Sequence, residues 1–152
     1  MTVLFLDIDG VLNNHRALGR EPPLDSDCVA VLNTVAELID ASIVISSTWR
    51  LFHSQEELRV MLCDHGLVAP HRIIDATPEV EEWRGTARVL QPRGVEIQAW
   101  LSAHRDVQRF VILDDGDDMA HLAPHLVQTD MTTGLTAAHV PAILRVLDLG
   151  SP

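Results

Sequence analysis

Positive charge is scarce in this sequence. Eleven basic residues face 22 acidic ones, for a formal net charge of -11. That balance excludes a large non-specific nucleic-acid surface, which needs an excess of Lys and Arg; a local groove is compatible with it. Every basic residue is arginine, and lysine and tyrosine do not occur. Cysteine is nearly absent. Cys28 and Cys63 lie in helical patterns without metal or redox spacing and read as buried, reduced thiols of a cytoplasmic protein. No apolar run approaches the roughly 20 residues that a bilayer span needs, so no membrane contact is expected. The first strand begins at the N-terminus, which leaves no room there for a signal peptide. Internal repeats, low-complexity segments and domain-splitting linkers are also missing. A single domain over residues 1–152 is therefore expected, and 47% hydrophobic residues suffice for one core.

What is present alternates between strand and helix. Val3 to Leu6, Ser42 to Ser46 and Arg109 to Leu113 are apolar runs without polar alternation, the pattern of strands covered on both faces. A short strand is expected at Arg72 to Asp75 and a weak one near Leu126 to Gln128. Helices are expected from Ser26 to Ile39 (capped by Asp25 or Ser26), Gln55 to His65 (capped by Ser54 and ended by Gly66), Val95 to His104, and Ala137 to Leu147. The segment from Ala76 to Gly94 carries Pro78, Gly85, Pro92 and Gly94 and reads as a loop. Such an order predicts an α/β, Rossmann-like three-layer sandwich with a central parallel sheet and right-handed crossovers.

Chemistry concentrates at the ends of the apolar runs. Val3-Leu4-Phe5-Leu6 leads into Asp7-Ile8-Asp9-Gly10-Val11-Leu12. The carboxyl end of a strand is where open α/β sheets place ligands. Two acids fixed there repel each other unless a cation sits between them, and Mg2+ suits their hard oxygens. One carboxylate can then act as nucleophile while its neighbour handles protons. A polar strand end followed by a turn is the plainer account. A calcium loop is excluded, because Asn13-Asn14-His15-Arg16 lacks its remaining acids.

The Asp-x-Asp-Gly-Val segment resembles the first motif of the haloacid dehalogenase (HAD) superfamily. The resemblance implies a phosphatase with a HAD-type core and no substantial cap domain. Asp7 would be the nucleophile that forms an aspartyl-phosphate. Asp9 would be the acid/base, its backbone carbonyl also reaching Mg2+. The second motif is a hydroxyl ending an apolar strand, here within Ile45-Ser46-Ser47-Thr48-Trp49-Arg50. Strand length favours Ser46, whereas alignment on the tryptophan favours Ser47. The third motif is a cation. Without lysine it must be an arginine, with Arg93 in Gln91-Pro92-Arg93-Gly94 preferred over Arg84. The fourth is an acidic pair, matched by Ile112-Leu113-Asp114-Asp115. Asp114 would bind Mg2+, with Asp115 or Asp118 completing the set. Gly10, Thr48, Arg50 and Arg84 are the further candidates for substrate contact.

The eight histidines are expected to be structural or superficial; His121 and His125 share a helical spacing, but nothing completes a zinc site. Trp49 and Trp100 suit core packing, while Trp83 in the polar loop is free to stack on a base. The combined pattern, with Ser-Ser-Thr-Trp-Arg and Arg-Gly-x-Glu-Ile-x-x-Trp-Leu, resembles the uncapped phosphatase domains of multidomain bacterial RNA-repair proteins. It implies a Mg2+-dependent phosphomonoesterase, with polynucleotide or nucleotide ends as candidate substrates. A small-metabolite phosphatase and a non-catalytic Mg2+- or phosphate-binding module are the alternatives. An open site would admit a large substrate, and the Ala76 to Gly94 segment is its candidate selector.

Overall fold

The computed structural model describes residues 1–148; the last four residues of the expected 1–152 unit lie outside them. Five strands form one parallel sheet in the order β3-β2-β1-β6-β7, with β1 at Thr2–Leu6, β2 at Ala41–Ile45, β3 at Ile73–Ala76, β6 at Arg109–Asp114 and β7 at Leu126–Gln128. β1 is central, and its residues alternate between two cores as the pleat requires. Leu4 and Leu6 face a cluster with Ile43, Ile45, Val111 and Leu113. Helices α1 (Ser26–Leu38), α2 (Gln55–Asp64) and α4 (Val140–Val146) cover that face through Leu32, Leu58, Leu62 and Ile143. Val3 and Phe5 face the other way, against Ile97 and Trp100 of α3 (Arg93–Ala103), with Met119 and Leu122. Burial on both faces is why these strands read as unbroken apolar runs.

Helix starts follow side-chain caps. The Asp25 carboxylate accepts the Asp27 N–H at the start of α1, and Ser54 and Glu57 form a capping box on α2. Three expectations need correction. The segment expected to be a loop holds an antiparallel hairpin, β4 (Glu81–Arg84) and β5 (Ala87–Leu90), turning at Gly85 with φ of 64°. α3 begins at Arg93 rather than Val95, because the Asp118 carboxylate, from a distant loop, accepts the Arg93 N–H at 2.9 Å. Cys63 is exposed, since Leu58 and Leu62 take the inner face of α2; Cys28 is buried as expected. The last helix also opens with a 3-10 turn, Ala137–His139, before Pro141 enters α4. No large cap is present among the described residues.

Candidate active site

Register brings the distant motifs together. Leu6 pairs with Ile45 on one side and Leu113 on the other. The next residues, Asp7, Ser46 and Asp114, therefore share one row at the carboxyl edge of the sheet. Backbone bonds lock the row: the Asp7 N–H donates to the Leu113 carbonyl at 3.0 Å and the Ser46 N–H to the Leu6 carbonyl at 2.9 Å.

Asp7, Asp114 and Asp115 each place a carboxylate oxygen within 4.8 Å of the others. Asp7 and Asp114 are buried, and Asp115 is half-buried. Burial raises the Asp7 pKa, while Arg93, the Ile8 N–H and the Ser47 side chain draw it back down. Asp114 is pushed up to about 7, by burial first and then by the Asp7 charge. Its Oδ1 accepts the Gly116 N–H at 2.9 Å, but its Oδ2 is buried without a hydrogen-bond partner. An all-oxygen donor set with one orphaned carboxylate oxygen fits a hard divalent cation such as Mg2+.

Arg93 is the cation that reaches this cluster. Its Nε lies 3.7 Å from Asp114 Oδ2, and its Nη1 is buried with no partner. Arg84 does not reach it. That side chain sits on the exposed hairpin and pairs with Glu82 at 3.3 Å. Ser47, rather than Ser46, turns its side chain to Asp7, and it also accepts the Trp49 N–H at 3.3 Å. The Ser46 hydroxyl is buried without a partner.

Three expected contacts prove to be scaffold. Arg50 donates from Nε to the Thr77 carbonyl (2.8 Å) and from Nη1 to the Ser46 (3.0 Å) and Ser47 (2.9 Å) carbonyls. Its Nη2 donates to the Pro78 carbonyl (3.4 Å) and to Glu96 Oε2 (2.7 Å). All five donors are committed, so none is left for substrate. Arg50 instead ties the ends of β2 and β3 to α3, the helix that carries Arg93. Gly10 is similarly occupied: its N–H donates to Asn13 Oδ1 at 2.8 Å and its carbonyl accepts the Thr129 hydroxyl at 2.6 Å. Its φ is +74°, and a Cβ there would lie 2.6 Å from Asp115 Oδ2, so glycine leaves the space that Asp115 fills. Asp118 stands outside the carboxylate trio and caps α3 through Arg93. Thr48, by contrast, is exposed and lines a cleft beside Arg93.

Asp9 is exposed beside the trio, and its carboxylate is held by two neutral donors. Asn13 Nδ2 donates to Oδ1 at 2.8 Å and Trp49 Nε1 to Oδ2 at 3.1 Å. Trp49 packs against the core as expected, but its polar edge serves Asp9. Asn13, Glu96 and Thr129 were not expected at the site. Asn13 carried a local signal, three residues after Gly10 in the same turn; Glu96 stood in the Arg-Gly-x-Glu-Ile pattern without an assigned role, and Thr129 carried no signal. Trp100 packs edge-on against Phe5, as its helical pattern suggested, and His125 stacks on Phe110.

The family model for the HAD domain in Swiss Army Knife RNA repair proteins matches residues 3–140. The chain belongs to that family. The matched region contains the row of strand ends, Arg93 and the acidic pair, and membership supports a hydrolase of phosphatase type. No curated protein and no solved structure matches the chain. Among the described residues no helix is long and apolar enough to cross a membrane.

Proposed function

We propose that this HAD domain is a Mg2+-dependent phosphomonoesterase that works through an aspartyl-phosphate on Asp7, with polynucleotide or nucleotide terminal phosphates as its substrate class. One observation carries the reading. A buried carboxylate at a strand end is faced by a serine side chain and by an arginine whose Nη1 is buried and unpartnered. Asp7 is then the nucleophile, and Arg93 and Ser47 are donors for the phosphoryl oxygens. An Asp7 oxygen bonds to phosphorus as the ester P–O bond breaks, and Asp9 gives the departing oxygen its proton. Asp9 next takes a proton from water, the water oxygen attacks phosphorus, and inorganic phosphate leaves with Asp7 restored. Mg2+ held by Asp7, Asp114 and Asp115 would supply positive charge against the phosphoryl oxygens. The carboxylate cluster supports the metal, and the family's description supports the substrate class.

The test is phosphate release with Mg2+, against an EDTA control, from 5'- and 3'-phosphorylated oligonucleotides, mononucleotides, sugar phosphates and an aryl phosphate. Mg2+-dependent release favouring oligonucleotide or nucleotide ends is expected, and it should vanish in Asp7→Asn. Release that persists in Asp7→Asn would sink the mechanism. Release from sugar phosphates alone would replace the substrate class with small metabolites.

A further inference from the structure

We propose that Trp49 and Asn13 are positioning residues for Asp9, and that together they hold its carboxyl so that its proton goes to the leaving oxygen of the ester. The proposal rests on the phosphatase reading above, in which Asp9 protonates that oxygen. Asp9 is exposed just past the end of β1, where an unheld aspartate side chain would move among its staggered rotamers. Here both of its oxygens are engaged. Asn13 Nδ2 donates to Oδ1 at 2.8 Å, and Trp49 Nε1 donates to Oδ2 at 3.1 Å.

Neither holder can accept the proton in this arrangement. Asn13 is 1% exposed, and its Oδ1 accepts the Gly10 N–H at 2.8 Å. That bond fixes the amide, so its Nδ2 end must face Asp9. The Trp49 indole is a donor only. Its ring is half-buried against the core, and its backbone N–H is accepted by Ser47, whose side chain also turns to Asp7. The chain leaving β2 thus supplies a donor for the phosphoryl group and, two residues on, a holder for the acid. A carboxyl bounded by two donors has no acceptor between them, which leaves its proton for the substrate. Both donors are neutral, so they can bond the carboxyl in each of the two forms that the proposed cycle takes it through. Holding the acid in one place matters because a displacement of about 1 Å can cost a large part of its contribution.

Two esters of different leaving-group demand test this. Benzyl phosphate releases an alcohol, which needs the proton; 4-nitrophenyl phosphate releases a stable phenolate, which needs it little. They are compared by kcat/KM, which covers the steps through departure of the leaving group and excludes hydrolysis of the shared aspartyl-phosphate. Asp9→Asn sets the scale, with an expected fall of about a hundredfold or more for benzyl phosphate and a much smaller fall for 4-nitrophenyl phosphate. Trp49→Phe removes the N–H and keeps an aromatic ring on the core. It is expected to lower kcat/KM by about tenfold or more for benzyl phosphate and by less than about threefold for 4-nitrophenyl phosphate. Replacing Trp49 by benzothienylalanine, which carries sulfur in place of the N–H at nearly the same ring volume, should reproduce that split even if the phenylalanine variant folds poorly. Equal losses on the two esters would mark Trp49 as structural and overturn the proposal, as would an undiminished rate on benzyl phosphate. If Asp9→Asn itself loses both esters equally, Asp9 is not the acid and the positioning role falls with it, while Asp7-dependent release would leave the aspartyl-phosphate standing. Absence of Asp7-dependent release from both esters, and from the wider panel above, overturns the phosphatase reading itself.

Discussion

The strand-end cluster and the β4–β5 hairpin are built in opposite ways. In the cluster, Asp7 and Asp114 are buried, the peptide bonds around them pair across three strands, and Arg50 braces the rear. In the hairpin, two strands pair only with each other, and Trp83 and Leu90 are 58% and 84% exposed. A lone hairpin is marginal in water, so its shape depends on what it rests against. The cluster holds charges where they are costly and therefore needs every neighbour. The hairpin costs the fold little and can change sequence without unfolding it. The proposed function places the chemistry in the first region, and loops carried on a rigid scaffold commonly hold selectivity, the role expected of the second.

The largest expected effect separates activity from stability within the cluster. Asp7→Asn should abolish turnover, a fall of about a thousandfold or more, since it removes the proposed nucleophile. The same change should raise the thermal midpoint of the metal-free protein at pH 8. Burial makes the Asp7 charge unfavourable to the fold, and the amide removes it. Melting curves and phosphate release on the same sample decide it; an Asp7→Asn variant that is active, or that melts lower without metal, breaks the account.

Next comes the brace. Glu96→Ala leaves the buried Arg50 guanidinium without its carboxylate, and their side chains are only 5% and 13% exposed. Four carbonyl bonds remain, so the cost should fall near the low end for a broken buried pair, about 3 kcal/mol by urea unfolding. Because α3 carries both Glu96 and Arg93, kcat should also drop by about tenfold at temperatures where the variant is folded. Unchanged stability would show that the brace holds nothing.

Most of the sheet and the acidic row was legible in the sequence because strands buried on both faces leave unbroken apolar runs. Leu6, Ile45 and Leu113 each end such a run, and the residue after each is polar. Register then turns three sequence ends into one place. Interactions that cross the chain were not legible. Asp118 looked like an alternative to Asp115 at the metal, being an acid near acids; its bond to the Arg93 N–H exists only once α3 docks. Arg50 looked like a phosphate donor because its five partners come from β2, β3 and α3, and no local pattern predicts that meeting. The hairpin did leave a trace in Gly85-Thr86, a two-residue turn, but Glu81-Glu82-Trp83-Arg84 lacks the alternation that marks a strand packed on a core.

A smaller effect concerns pH. Asp114 titrates near 7 in the fold against 3.8 when unfolded, so the fold holds a proton that the open chain has released. Its contribution to metal-free stability is full below about pH 4 and is lost as pH rises toward 7. On the proposed reading Mg2+ displaces that proton as it binds, so the melting shift produced by the ion should grow from pH 6 to pH 8. Asp114→Asn should flatten both trends. A Mg2+ shift that is constant with pH in the wild type would mean the ion is not held by Asp114.

The smallest effect is asked of the hairpin and tests whether the two regions are as separate as their burial suggests. Trp83 is the largest exposed side chain of β4, and its Nε1 reaches only the neighbouring Glu81, at 3.4 Å. It is not among the residues that line the cleft. Trp83→Ala should therefore move the melting midpoint by no more than about 2 °C, as an exposed change worth at most about 0.5 kcal/mol does. Turnover of a small aryl phosphate should stay at the wild-type value. If instead kcat falls while the midpoint holds, the hairpin tip closes over the phosphoryl group during the reaction. The division between a rigid chemical edge and a tolerant selective one would then fail at its most exposed residue.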